Sequence, residues 1–115
     1  MRSRPVSVIE QAGFLRRAGE LLTPEEQDAV VDLVAYEPTC GDLIPGTGGL
    51  RKVRIAVSGR GKRGGARVVY YFHDAEMPAF LLALYAKNEK DDLTAAEKTE
   101  FSRLTKELVR QWRRK

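Results

Sequence analysis

Residues 50–86 read LRKVRIAVSGRGKRGGARVVYYFHDAEMPAFLLALYA, and this stretch decides the fold. Leu50–Val57 alternates: Val53, Ile55 and Val57 fall on one face, Lys52, Arg54 and Ala56 on the other. That period of two marks a half-buried strand. Residues 58–65, SGRGKRGG, form a long glycine-rich hairpin tip. Ala66–His73 is rich in β-branched and aromatic residues and predicts a second strand. Asp74–Pro78 turns the chain, and Ala79–Ala86 predicts a third strand. Consecutive strands joined by short turns form, most simply, an antiparallel meander.

Charge concentrates in the same stretch. The chain has 115 residues, 20 Lys+Arg against 16 Asp+Glu, for a net charge of +4. Leu43–His73 holds seven basic residues and no acidic one: Arg51, Lys52, Arg54, Arg60, Lys62, Arg63 and Arg67. Residues 1–42 carry four basic and eight acidic residues, and residues 74–115 carry nine and eight. A solvated hairpin is the plain explanation for an isolated charge run. Seven cations on two strands and their loop, with no counter-ion in sequence, favour phosphate binding instead.

Working outward, Val6, Val8 and Ile9 predict a short N-terminal strand. Between Gln11 and Leu22, residues Phe14, Leu15, Ala18, Leu21 and Leu22 recur at helical spacing. Thr23-Pro24-Glu25-Glu26 is a capping box with proline at the first helical position. The helix it opens carries Val30, Leu33 and Val34 on one face and should stop near Glu37-Pro38. Residues 39–49, TCGDLIPGTGG, form a loop. Leu93-Thr94-Ala95-Ala96-Glu97 repeats the capping logic before a C-terminal helix with Phe101, Leu104, Leu108 and Trp112 on one stripe. The expected fold is one α+β domain over residues 1–115. A small antiparallel sheet, the N-terminal strand plus the three-strand meander, packs with two N-terminal helices and one C-terminal helix.

Several chemistries are excluded. One cysteine and one histidine allow neither a disulfide framework nor a Cys/His zinc site. No apolar run approaches the roughly 18 residues of a membrane span. The N-terminus lacks the apolar core of a secretory signal, so the cytoplasm is the expected compartment. Gly46-Thr47-Gly48-Gly49-Leu50-Arg51 lacks the third glycine of a dinucleotide fingerprint and precedes a strand. Gly61-Lys62-Arg63 lacks the upstream glycine and the Ser/Thr of a P-loop. Cys40 has no histidine near it in sequence, and His73 stands alone at a strand end.

What remains is an array of cations and tyrosines. Lys52 and Arg54 share one strand face; Arg67, Val69, Tyr71 and His73 share one face of the next; Tyr85 and Lys87 share one of the last. Tyr70 and Tyr71 point oppositely, so one of them packs in the core. Guanidinium groups hold phosphate oxygens and stabilise a pentacoordinate transition state. RNA brings its own nucleophile, the 2′-hydroxyl, so such a site needs no metal, no cofactor and no side-chain nucleophile.

Three segments carry a resemblance: Gly46-Thr47-Gly48-Gly49-Leu50-Arg51-Lys52-Val53-Arg54, Gly61-Lys62-Arg63-Gly64-Gly65-Ala66-Arg67-Val68-Val69-Tyr70-Tyr71-Phe72, and Leu84-Tyr85-Ala86-Lys87-Asn88-Glu89-Lys90-Asp91-Asp92-Leu93-Thr94. Together they resemble RelE/ParE-superfamily toxins of bacterial type II toxin–antitoxin systems, and most closely the HigB branch. The resemblance runs from about Val6 to the C-terminal helix. It implies a RelE-like fold and a ribosome-dependent mRNA endoribonuclease. Such an enzyme cuts in the ribosomal A site by 2′-hydroxyl attack, and a HigA-like helix-turn-helix antitoxin neutralises it. It also implies site residues. Lys52 and Arg54 match the basic pair of the second strand, Arg67 the arginine contacting the scissile phosphate, and Lys87 the basic residue after the last strand. Arg51, Arg60, Lys62, Arg63 and Tyr71 are expected to contact RNA. Some RelE-type toxins place an arginine after that lysine and a catalytic tyrosine further on; here Asn88 and Thr94 stand there. Tyr71 or Tyr85 could substitute only by facing the cleft. A ParE-like gyrase poison and a non-catalytic RNA-binding module are the alternatives.

Overall fold

The computed structural model describes residues 4–58, 65–90 and 92–113. In chain order these form β1 (Val8–Glu10), α1 (Ala12–Leu21), α2 (Pro24–Tyr36), β2 (Asp42–Leu43), β3 (Leu50–Ile55), β4 (Ala66–Tyr71), β5 (Ala79–Ala86) and α3 (Ala95–Arg113). The five strands form one sheet in the order β1-β5-β4-β3-β2. The expected meander is its centre, with β3–β4 and β4–β5 antiparallel. The N-terminal strand joins the far edge in parallel, Val8 beside Ala79. β2, inside the predicted loop, adds a two-residue edge with Asp42 opposite Lys52 and Leu43 opposite Arg51.

Local chemistry sets the helix starts. The Thr23 hydroxyl accepts from the Glu26 N–H at 3.1 Å, and the Glu26 carboxylate accepts from the Thr23 N–H at 2.9 Å. The second Glu26 oxygen accepts from the Ser58 N–H at 2.8 Å, tying the start of α2 to the chain leaving β3. These bonds hold the Glu26 carboxyl below its ordinary range, the Thr23 N–H first among the causes. Thr94 and Glu97 repeat the box before α3. Gly65 enters β4 at φ 72°, where a Cβ would lie 2.1 Å from the Ile55 carbonyl oxygen, so only glycine fits there.

The two sheet faces are covered unequally. On one, Phe14, Ala18 and Leu21 of α1 and Val30 and Val34 of α2 pack against Val68, Tyr70, Leu81 and Leu84. On the other, Phe101, Leu108, Val109 and Trp112 of α3 pack against the cluster of Leu50, Val69, Tyr71, Phe80 and Leu82. Only Thr105 of α3 is itself buried. Ser102 Oγ donates to the Thr47 carbonyl at 2.8 Å and anchors α3 over the β2–β3 loop. The helix therefore covers the Leu50–Tyr71 end of this face. The other end, where β3 and β4 carry cations, stays open.

Candidate nucleic-acid interface

Register builds the site. Arg54 pairs directly with Arg67 across β3 and β4, and Arg67 pairs with Tyr85 across β4 and β5. Lys52 lies two residues along β3 from Arg54, about 6.6 Å away on the same face. Asp42, Lys52, Arg54 and Arg67 line a cleft of about 220 Å³. Like charges directly opposite on neighbouring strands destabilise a sheet. Such a breach of a local rule is typical of functional sites. Arg67 Nη1 is buried and has no hydrogen-bond partner among the described residues. A buried guanidinium donor left unsatisfied is costly, and an anion oxygen would satisfy it.

Two acidic residues that the sequence reading did not single out border this cleft. Asp42 lies on the lip, opposite Lys52. Asp92 pairs with Lys52 Nζ at 3.6 Å and with Lys98 Nζ at 3.7 Å. Partial burial opposes ionisation of Asp92. The Leu93 N–H and the charges of Lys52 and Lys98 outweigh it and hold the carboxyl below its ordinary range. Asp92 thus steadies Lys52 at the cleft. Neither carboxylate has a motif spacing; only the β2–β3 pairing and the approach to α3 bring them here.

The remaining expected site residues separate. Lys87 follows β5 directly, and its N–H donates to the Gly65 carbonyl at 3.1 Å, which sets its backbone beside the start of β4. Tyr85 faces the Arg67 side of the sheet but is 4% exposed, with Lys90 Nζ 5.1 Å from its ring centre. Arg51 does not join the cleft. It projects from the opposite face of β3, and its guanidinium donates to the Gly41 carbonyl at 2.8 Å and the Thr39 carbonyl at 3.3 Å. Its expected RNA contact gives way to a clamp on the chain leaving α2.

Tyr71 also departs from expectation. It shares a face with Arg67 but lies four residues along β4, under α3 and 6% exposed. Its hydroxyl lies 3.2 Å from His73 Nδ1, and burial raises its pKa. Arg60, Lys62 and Arg63 lie outside the described residues.

Tyr70 is the packing member of the tyrosine pair. Its hydroxyl accepts from the Gly41 N–H at 2.8 Å and donates to the Pro38 carbonyl at 2.8 Å. Burial, reinforced by the neighbouring Cys40, pushes its pKa well up. Thr94 is likewise occupied, as the α3 cap. Among the described residues, no group of three or more His, Cys, Asp and Glu could hold a metal ion. No described helix is long and apolar enough to cross a membrane.

A five-stranded sheet with helices on both faces and a cationic cleft at one end defines a small α+β protein suited to holding phosphate. Residues 41–115 match the model of the RelE toxin of the RelE/RelB toxin–antitoxin system, and the chain belongs to this family. The matched region contains the cleft, the central strands and α3. Among solved structures, the free state of the E. coli toxin RelE, with two arginines replaced by alanine, is similar with a TM-score of 0.56. It shares 14% identity over 76% of this chain and 88% of that chain, a likeness of fold.

Proposed function

We propose that this RelE-family toxin is an mRNA endoribonuclease that acts on translating ribosomes, in the manner of the HigB branch. The observation that carries it is the Arg54–Arg67 cross-strand pair beside Lys52, with the Arg67 Nη1 donor buried and without a partner among the described residues. Arg54 and Arg67 hold the two non-bridging oxygens of the scissile phosphate. The RNA 2′-oxygen attacks phosphorus, the bond to the 5′-oxygen breaks, and a 2′,3′-cyclic phosphate and a 5′-hydroxyl result. Arg67 stabilises the added negative charge of the pentacoordinate state. Lys52, steadied by Asp92, and Lys87, whose backbone lies beside the start of β4, serve the two proton transfers: one takes the 2′-hydroxyl proton and the other gives a proton to the departing 5′-oxygen. One acid/base group contributes about 10²–10⁴ in rate, and positioning of the message by the ribosome supplies much of the rest. Family membership supports an antitoxin partner, and on this reading it is a helix-turn-helix protein of the HigA type. Gyrase poisoning requires none of these phosphate-facing cations.

Primer-extension mapping of a reporter mRNA in a reconstituted translation system tests the proposal. Wild-type protein should cut within codons only when ribosomes translate, and folded Arg67→Ala should not cut. Uncut message with folded wild-type protein, or full cutting by Arg67→Ala, would overturn it.

A further inference from the structure

The turn after β5, which carries Lys87, is held from several sides. From the sheet, the Lys87 N–H donates to the Gly65 carbonyl at 3.1 Å. From within, the Glu89 carboxylate folds back and accepts from the Ala86 N–H at 2.9 Å, while the Glu89 N–H donates to the Ala86 carbonyl at 3.0 Å. From α3, Glu97 pairs with Lys90 at 2.7 Å. From α1, the Arg17 guanidinium pairs with the same Glu89 oxygen that takes the Ala86 N–H, across 72 positions of sequence. Arg17 is itself fixed. Its Nη1 donates to Glu20 at 2.7 Å, and its Nε lies 3.4 Å from the Leu84 carbonyl of β5. A guanidinium is a rigid planar fork, so these two contacts aim the arm that ends on Glu89.

We propose that Arg17, acting through Glu89, is a positioning residue for Lys87. The inference rests on the ribonuclease reading above, in which Lys87 serves a proton transfer. Lysine carries its ammonium on a flexible four-carbon stem. Such a group is only as well placed as the backbone it hangs from, and misplacement by about 1 Å can cost about 10²-fold in rate. That backbone is a turn rather than a strand, since Lys87 is the first residue beyond β5. Stability alone accounts poorly for the arrangement. Arg17 is 27% exposed and Glu89 43%, and ion pairs so open to water add little to a fold. A grip on RNA accounts for it no better, because each guanidinium nitrogen already faces an acceptor of the protein. Arg16, the exposed neighbour on α1, carries the same charge outside this set of contacts. A residue that acts through another loses its effect when the other is removed, whereas independent losses add.

Cleavage on programmed ribosomes is timed for wild type, Arg17→Gln, Glu89→Gln, these two combined, Lys87→Ala, Arg17→Gln/Lys87→Ala and Arg16→Gln. In the proteins that keep Lys87, exchange of its amide proton is followed by NMR, with the core Val68 amide as the reference for an intact fold. Arg17→Gln should lower kcat about 10-fold. It should leave KM and the salt slope of RNA binding at their wild-type values, and it should speed Lys87 exchange while Val68 holds. Glu89→Gln should do the same, and the combined variant should lose no more than either. In the Lys87→Ala background, Arg17→Gln should cost nothing further. Arg16→Gln should match wild type in kcat and in exchange. A wild-type kcat in Arg17→Gln would overturn the inference. So would its full loss added on top of Lys87→Ala, or unchanged Lys87 exchange. Exchange is read separately from cutting. A protein that never cuts message, in which Arg17→Gln still speeds Lys87 exchange, would sink the ribonuclease and leave the hold of Arg17 on this turn standing.

Discussion

The two arginines of β3, Arg51 and Arg54, differ by three positions and by everything that follows from facing opposite sides of one sheet. Arg51 donates through Nη1 to the carbonyls of Thr39 and Gly41. Arg54 stands exposed in a cleft opposite a second arginine. On the face packed by α1 and α2, Tyr70 likewise satisfies Gly41 and Pro38, while at the end of the α3 face that the helix leaves uncovered Arg67 keeps a buried donor without a partner among the described residues. On the first face Arg51 and Tyr70 have donors matched to the protein. On the second, Lys52 and Tyr71 also have protein neighbours in Asp92 and His73, and it is the Arg67 donor that is held for something else. Burial and residue type alone do not separate structural from functional arginines here; what each donor already touches does.

Substitutions can break this contrast. The largest expected effect is on the open face. Arg67→Ala should lower cleavage on ribosomes by about 10²–10³, the usual loss for one transition-state donor. Its melting temperature should hold or rise, because the repulsion with Arg54 is relieved. A fall in both would place Arg67 among the structural arginines.

Tyr70→Phe should cost about 1–3 kcal/mol in urea unfolding, since it strands the Gly41 N–H and the Pro38 carbonyl. Cleavage at saturating ribosomes should persist. Arg51→Ala should cost about 1 kcal/mol of stability and leave the salt slope of RNA binding unchanged. A slope lower by one would return Arg51 to the interface.

The smallest effect concerns Glu97 in the first turn of α3. Its carboxyl lies under its ordinary value, chiefly through the Lys90 ammonium, aided by the Thr94 N–H. A carboxyl depressed in the folded state stabilises the fold above its unfolded pKa, and that stability is lost as pH falls through the folded value. Glu97→Gln should therefore flatten the acid limb of stability below about pH 4.5. The amount is well under about 1 kcal/mol, because the pair is partly solvated. An unchanged acid limb would show that the pair adds nothing to the hold on α3.

Much of the sheet was legible because its strands alternate cleanly and its helices announce their caps. Thr23-Pro24-Glu25-Glu26 and Thr94–Glu97 became the capping boxes their spacing predicted. The parallel joining of β1 and the two-residue β2 were not legible, since neither length nor composition encodes pairing. Lys52 and Arg54 could be brought to one face by counting twos, and Arg67 to one face with Tyr71; the β3–β4 register is what puts the two sets together. The same counting turns Arg51 away, but its carbonyl partners depend on how residues 38–41 fold back. Tyr71 shares the alternation of Arg67. What buries it is the path of α3, which no local pattern records. Asp42 and Asp92 reach the cleft through tertiary approach alone.

The Arg54–Arg67 pair has a consequence for how much folded protein exists. Two arginines opposed across β3 and β4 weaken the sheet most without an anion, so whatever anion occupies the cleft acts as a folding partner. By mass action, a ligand present at one hundred times its dissociation constant adds about 2.7 kcal/mol to the native state. The lifetime of this toxin is then set partly by its company, longest with the cleft filled by an anion and shortest when alone.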